Sequence, residues 1–323
     1  MNDLSQPINT GETGAGSDRT KYIGGSDVAA IMGVSPWRTP VQVWEDKTGR
    51  RTADARDVEQ RSKAKLFSRG HRWEQPAFEM LVDELEARGH TVEAVATSQR
   101  YQDADLPFLA CEIDREILLD GEHVNVEIKT VHAFASKKWG EMDTDEVPIE
   151  YAAQVMHGLG ITKRRLCVVG CLIGADNLVP YFVERDDETI AAMRAKCTEF
   201  WTIHVEGDTP PDPLNFQDLS ILFPIDNGLT KQATPEIQQK IAELARLKRI
   251  LKSTGDEADE LEFQIQAFME PAAALMDGEK KLCTWKTQET KRFDQKAFSA
   301  EHPEQFEKYK RITMSRVFRL ATK

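Results

Sequence analysis

Asp114, Glu127 and Lys129 are the residues of this chain whose types and spacing could do chemistry together. Twelve residues separate the two acids, and Glu127 and Lys129 bracket a single aliphatic residue, Ile128. The stretch that carries them, DREILLDGEHVNVEIK, reads as two strands joined at Asp120-Gly121, a dipeptide that favours a two-residue hairpin turn. Residues two apart on a strand face the same side, so Glu127 and Lys129 share one wall of a sheet, with Asp114 beside them. Two carboxylates and an ammonium make a poor core, because unpaired buried charges are strongly disfavoured. Hard oxygen ligands next to a compact ammonium suit Mg²⁺ and a phosphodiester. By spacing alone, solvated carboxylates on a surface sheet fit this pattern too.

Three further features lean on the same wall. Glu74 stands beside Trp73 on a helix read over about 61–88, in the run RGHRWEQ, where Gly70 points to a break or a close approach. IEYAAQ, following Pro148, places Tyr151 and Gln154 one turn apart on one helix face. Near the start, RTKYIGGSD sets two glycines, whose backbone N–H groups are accessible, beside Arg19 and Ser26. Trp37 and Trp44 read as core under two short helices, with base stacking as the alternative.

Around these residues, strands and then helices point to an α/β or α+β fold with a mixed central sheet. Residues 50–60 read as a surface loop, and PPDPLNFQDLSILFP as an extended exit from the domain. Beyond Thr234-Pro235 the spacing becomes heptad-like on two helices parted by Gly255, which suggests a helical hairpin or short coiled coil for oligomerisation or partner docking. A strand at KKLCTWKT, a helical piece near Pro303 and a last strand at ITMSRVFRLATK complete a small β extension.

The quoted stretches resemble the YqaJ-like viral recombinase family, phage 5′→3′ exonucleases related to lambda exonuclease within the PD-(D/E)xK nuclease superfamily. The matching segments are IGGSDVAAIMGVSPWRTPVQVWEDKTG, RGHRWEQPAFE, LACEIDREI, VEIKT and PIEYAAQVMHGLG, covering about residues 19–206. Asp114 follows an Ile where the superfamily name has Pro. The resemblance implies a restriction-endonuclease-like core and a Mg²⁺-dependent exonuclease, with Mn²⁺ able to substitute and two ions expected. Asp114, Glu127 and the Ile128 carbonyl would ligate metal, and Glu74 would hold the second ion or its waters. Lys129 would act on the attacking water and the phosphorane, oriented by Gln154 with Tyr151. Arg19 and Ser26 would hold a terminal 5′-phosphate. Implied partners are double-stranded DNA ends, a single-strand annealing protein and further copies of the chain, since relatives form rings. The readings that compete with it are a structure-specific endonuclease on the same fold and a non-catalytic DNA-end-binding module.

Composition bounds these readings. The 323 residues carry a formal net charge of −12, which confines any contact with polyanionic DNA to a local cleft. No run approaches the ~18 apolar residues of a membrane span, and no signal pattern opens the chain, so a cytoplasmic protein of a bacterial host is expected. Five scattered cysteines read as reduced thiols. The expected divisions are a disordered arm at 1–18, an exonuclease domain at 19–228 and an extension at 229–323.

Overall fold

The computed structural model describes residues 8–12, 18–51, 53–312 and 314–321. The chain divides between Leu222 and Phe223 into two compact units, a few residues before the boundary expected from sequence.

The first unit opens with strand β1 (Ile8–Glu12), followed by α1 (Gly25–Ile31), α2 (Pro40–Lys47) and the long α3 (Ala53–Ala87). Strands β2 (Val92–Gln102), β3 (Ala110–Leu119) and β4 (Glu122–Val131) come next. They lead through α4 (Ile149–Thr162) to β5 (Leu166–Ile173), β6 (Asn177–Glu184), α5 (Asp187–Phe200) and α6 (Phe216–Leu222). The six strands form one sheet in sequence order, antiparallel throughout except for the parallel β4–β5 pair that α4 connects. A parallel neighbour requires such a crossover, whereas β3 and β4 need only a tight turn. Asp120 and Gly121 supply that turn with φ of +52° and +84°, the two left-handed residues of a type I′ hairpin. This is the mixed α/β sheet flanked by helices that the sequence led us to expect.

Helices cover both faces. Ala77, Phe78, Leu81 and Leu85 of α3 pack on Ile117, Val124, Val126 and Val168. On the other side, Val155 and Leu159 of α4 pack on Val131, Cys167, Val169 and Cys171, while α1 and α5 close over Cys111 and Ile113. Inward alternation along β3 changes faces between Ile113 and Ile117, because these two residues belong to clusters on opposite sides of the sheet.

Several details differ from the sequence reading. Residues 8–12 of the expected disordered arm form an edge strand paired with β2; residues 1–7 and 13–17 lie outside the described residues. The expected loop at 50–60 belongs to α3 from Ala53 onward, and α3 runs through Gly70 without a break. The expected extended exit contains α6, anchored by Asp218, which accepts from Thr39 Oγ1 at 2.7 Å. Trp44 is buried, but Trp37 is 56% exposed, its ring 5.7 Å from that of Tyr151. All five cysteines are free thiols.

The second unit contains one helix where a hairpin is expected: α7 (Pro235–Met269) continues through Gly255. A mid-helix glycine costs only about 1 kcal/mol against alanine, and helix formers on both sides of it outweigh that. A two-stranded sheet, β7 (Ala274–Asp277) with β8 (Lys280–Thr284), follows, and then α8 (Gln295–Glu301) and α9 (Pro303–Tyr309). The described residues after Lys310 form no strand, contrary to the expected final one. No helix among the described residues is long and apolar enough to cross a membrane.

Candidate functional site

The site lies where β3 and β4 part. Their pairing runs from the turn only as far as Arg115 opposite Val126. Beyond that point β3 continues along β2, and β4 along β5. At the fork the Asp114 carboxylate replaces the missing strand neighbour, with Oδ2 accepting from Ile128 N at 2.8 Å. Glu127 and Lys129 point to one side of β4, as their spacing predicts, and their side chains are in direct contact. Gln154, one turn after Tyr151 on α4, ties them together. Its Nε2 donates to Glu127 Oε1 at 2.5 Å, and its Oε1 accepts from Lys129 Nζ at 3.2 Å. The Tyr151 ring lies 5.1 Å from Lys129 Nζ.

The electrostatics show a place short of positive charge. Burial and the neighbouring Glu127 push the Asp114 carboxyl up to about 8, against the opposing pull of Lys129 and the Ile128 N–H. Burial disfavours the Lys129 ammonium, yet the charges of Glu127 and Asp114 outweigh it and hold its pKa above the ordinary lysine value. Burial raises the Tyr151 phenol, which stays protonated at neutral pH.

Glu74 is placed differently from the expectation. It comes near enough to raise the Asp114 pKa, but its carboxylate is bound by Arg115 Nη1 at 2.5 Å, with His71 Nδ1 3.7 Å away. Arg115 also donates to the Asp114 carbonyl at 2.6 Å and to Gln75 at 3.2 Å. Among the described residues no group of three or more His, Cys, Asp or Glu comes together as a metal cluster. The donors that do converge are the carboxylates of Asp114 and Glu127, with the backbone of Ile128 on β4 bonded to Asp114. Mg²⁺ takes one or two carboxylates and keeps several waters, so this set fits a hydrated Mg²⁺. A buried carboxyl whose pKa a neighbouring carboxylate pushes up is also a site that a divalent cation would relieve.

A cleft of about 190 Å³ joins this pair to the N-terminal loop, and its walls include Arg19, Ser26, Glu112, Asp114, Glu127 and Gln154. Arg19 Nη2 donates to Ser26 Oγ at 3.1 Å. Gly25 allows α1 to approach α4 closely, since a Cβ there would lie 2.7 Å from Gln154 Cγ. Beneath the loop, buried Asp27 accepts from Gly24 N at 3.1 Å, Lys47 Nζ at 2.6 Å and Arg38 Nη1 at 2.7 Å. Lys47 Nζ also donates to the Arg19 carbonyl at 2.6 Å. The sequence reading missed Glu112, Asp27, Lys47 and Arg115. Glu112 had a signal: it stands two residues before Asp114 in an alternating run. The Glu112 Oε1 accepts from Tyr22 OH at 2.9 Å.

The YqaJ-like viral recombinase domain matches residues 17–165. The chain is 30% identical over 310 residues to an uncharacterized protein, YqaJ, of Bacillus subtilis (strain 168), covering 93% of this chain and 91% of that protein. Among solved structures it is similar to LHK-Exo in complex with dAMP, with 17% identity, a TM-score of 0.41, and coverage of 59% of this chain and 90% of the other. LHK-Exo is an alkaline exonuclease from Laribacter hongkongensis. A phage-related exonuclease from Haemophilus somnus 129PT shows 14% identity and a TM-score of 0.35, over 58% of this chain and 96% of the other.

Proposed function

Because this chain belongs to the YqaJ-like viral recombinase family, we propose that it is a Mg²⁺-dependent exonuclease that digests one strand of linear duplex DNA from the 5′ end. The reading is carried by Asp114, Glu127 and Lys129 meeting at the fork between β3 and β4, where Asp114 and Glu127 line one cleft with Arg19 and Ser26. The product is a 3′ single-stranded overhang, the substrate of a single-strand annealing protein.

Asp114 and Glu127, with the Ile128 carbonyl, would hold the cation, and Glu74 would serve a second one only by releasing Arg115. When bound, such ions neutralise phosphate charge and supply an activated water. Lys129 acts as a fixed cation. With its pKa held up by the two acids it keeps its proton, so it stabilises charge developing on a non-bridging phosphate oxygen and is a poor base. Gln154 holds the Lys129 ammonium and the Glu127 carboxylate in one geometry. Water attacks phosphorus, the bond to the 3′ oxygen breaks, and that oxygen leaves carrying a proton. Arg19 and Ser26 receive the terminal 5′-phosphate, which sets the scissile bond one nucleotide inward.

End-labelled linear duplex tests this reading. Digestion should require Mg²⁺ or Mn²⁺, release 5′ mononucleotides and spare a covalently closed circle. Asp114→Asn should abolish it while the fold persists. Cutting of the closed circle would assign the site to an endonuclease, and unchanged digestion by Asp114→Asn would remove the site altogether.

A further inference from the structure

The least expected feature outside the cleft is α7, a continuous helix of 35 residues and about 50 Å long at 1.5 Å per residue. Almost all of it is exposed, including apolar residues such as Leu251 at 72% and Phe268 at 75%. Its apolar residues follow a seven-residue repeat. One position reads Ile237, Leu244, Leu251, Ala258 and Ile265, and the position three residues later reads Lys240, Leu247, Thr254, Leu261 and Phe268. These are the two seam positions of a coiled coil, and eight of the ten are apolar. An apolar seam this long exposed to water calls for a partner surface.

Charge along α7 indicates which one. Residues 235–253 carry five basic side chains, Lys240, Arg246, Lys248, Arg249 and Lys252, against two acids, Glu236 and Glu243. Residues 254–269 carry five acids, Asp256, Glu257, Asp259, Glu260 and Glu262, and no base. The ion pairs along the helix among the described residues, Lys240–Glu236 and Arg246–Glu243, lie within the first half. The helix is therefore complementary to itself when reversed. We propose that α7 pairs with α7 of a second copy of this chain as an antiparallel coiled coil.

The register follows from the seam. In an antiparallel pair each position of one seam class meets the other class on the opposite helix, and a single register satisfies every layer. Ile237 then faces Phe268 of the second copy, Leu244 faces Leu261, and Leu247 faces Ala258. The same register sets residues 246–249 level with residues 256–259 of the second copy, basic half beside acidic half. A parallel pair would instead put each half beside its own like charges, which is destabilising. Lys240 and Thr254 are the polar seam residues, and a polar seam residue fixes register and orientation at some cost in stability.

The test measures mass against concentration by sedimentation equilibrium on the full chain. Wild type should be dimeric, or a multiple of two, in low salt and dissociate as salt rises. Reversing the basic half (Arg246→Glu, Lys248→Glu, Arg249→Glu, Lys252→Glu) should give subunits that no longer pair with themselves. Reversing the acidic half (Asp256→Lys, Glu257→Lys, Asp259→Lys, Glu260→Lys) should do the same. Mixing the two variants, or combining both reversals in one chain, should restore association. Circular dichroism on each variant separates lost pairing from lost helix. A reversed variant that keeps the wild-type mass overturns the proposal, as does a monomeric wild type. Restoration that fails in a mixture of folded variants also overturns it.

Discussion

At the scale of single residues, the cleft sets a positive wall against negative ones, and each side has its own expected effect. In the proposed reaction Arg19 and Ser26 would offer a terminal phosphate a charged donor and a hydroxyl, while Glu112 lines the same cleft as an opposing carboxylate. Arg19→Ala should lower the rate on 5′-phosphorylated ends about ten- to a hundredfold relative to 5′-hydroxyl ends, the range expected for one lost charge-assisted contact. Glu112→Gln keeps an acceptor for Tyr22 but removes the repulsion, so it should raise the same ratio. Competition between phosphorylated and hydroxyl duplexes reads both, and equal effects on the two ends would take these residues out of end recognition. Lys129→Met should lower kcat by at least about a hundredfold, the scale of a removed charge-stabilising donor. Gln154→Ala should lower it less, since Lys129 still touches Glu127. The meeting of Asp114, Glu127 and Lys129 was legible in the sequence because it depends on spacing along two strands. Arg115 was not: it reaches Glu74 only because the inward face of β3 changes near Asp114, and no pattern of residue types announces that change.

At the scale of elements, the site depends on how α1 and its loop are held against α4. The buried ions beneath them can be tested directly. Burial opposes the Asp27 charge, yet Lys47 and Arg38 hold its carboxyl down at about 2, while burial lowers Lys47 itself. The stabilising side of the pair therefore shows on Asp27, which gathers two cations and the Gly24 N–H, and the desolvation shows on Lys47. Asp27→Asn leaves Lys47 buried beside a neutral partner and should destabilise by about 3–5 kcal/mol, whereas Asp27→Leu with Lys47→Met should lose clearly less. A carboxyl depressed from 3.8 to about 2 contributes above pH 4 and loses that contribution as pH falls toward 2. The advantage of wild type over the double variant should thus shrink over that window by about 2 kcal/mol, read by urea unfolding; a constant difference would show that Asp27 does not titrate this way. Gly25→Ala offers a second probe, because its methyl group would displace Gln154 from Lys129 and Glu127. Digestion should fall while the melting temperature changes little. The β3–β4 hairpin was readable from Asp120-Gly121, where local chemistry decides the turn. Strand β1 was not, because INTGE becomes a strand only through its pairing with β2, and α7 was misread at Gly255 because one glycine weighs less than the heptads around it.

At the scale of the whole molecule, every residue assigned to the cleft lies between Arg19 and Gln154, inside the first compact unit. The second unit supplies none of them and contains α7. Cleavage chemistry and association should therefore be separable by cutting the chain, provided the cut respects α6. Asp218 on α6 is fully buried, accepts from Thr39 Oγ1 at 2.7 Å and from Leu214 N at 2.8 Å, and so fastens this helix to the start of α2. A chain ending before Asp212 would strip that contact and expose the α2 surface it covers. A chain ending at Gly228 keeps it. The longer fragment should digest linear duplex in Mg²⁺ with the same 5′ polarity as the full chain and should lose the association that α7 provides; the shorter one should unfold at a lower temperature. Limited proteolysis of the full chain, followed by mass measurement and an assay of the purified fragment, decides the matter. An inactive but folded fragment ending at Gly228 would mean that residues beyond it complete the site, and the boundary between the two units would then not be a boundary of function.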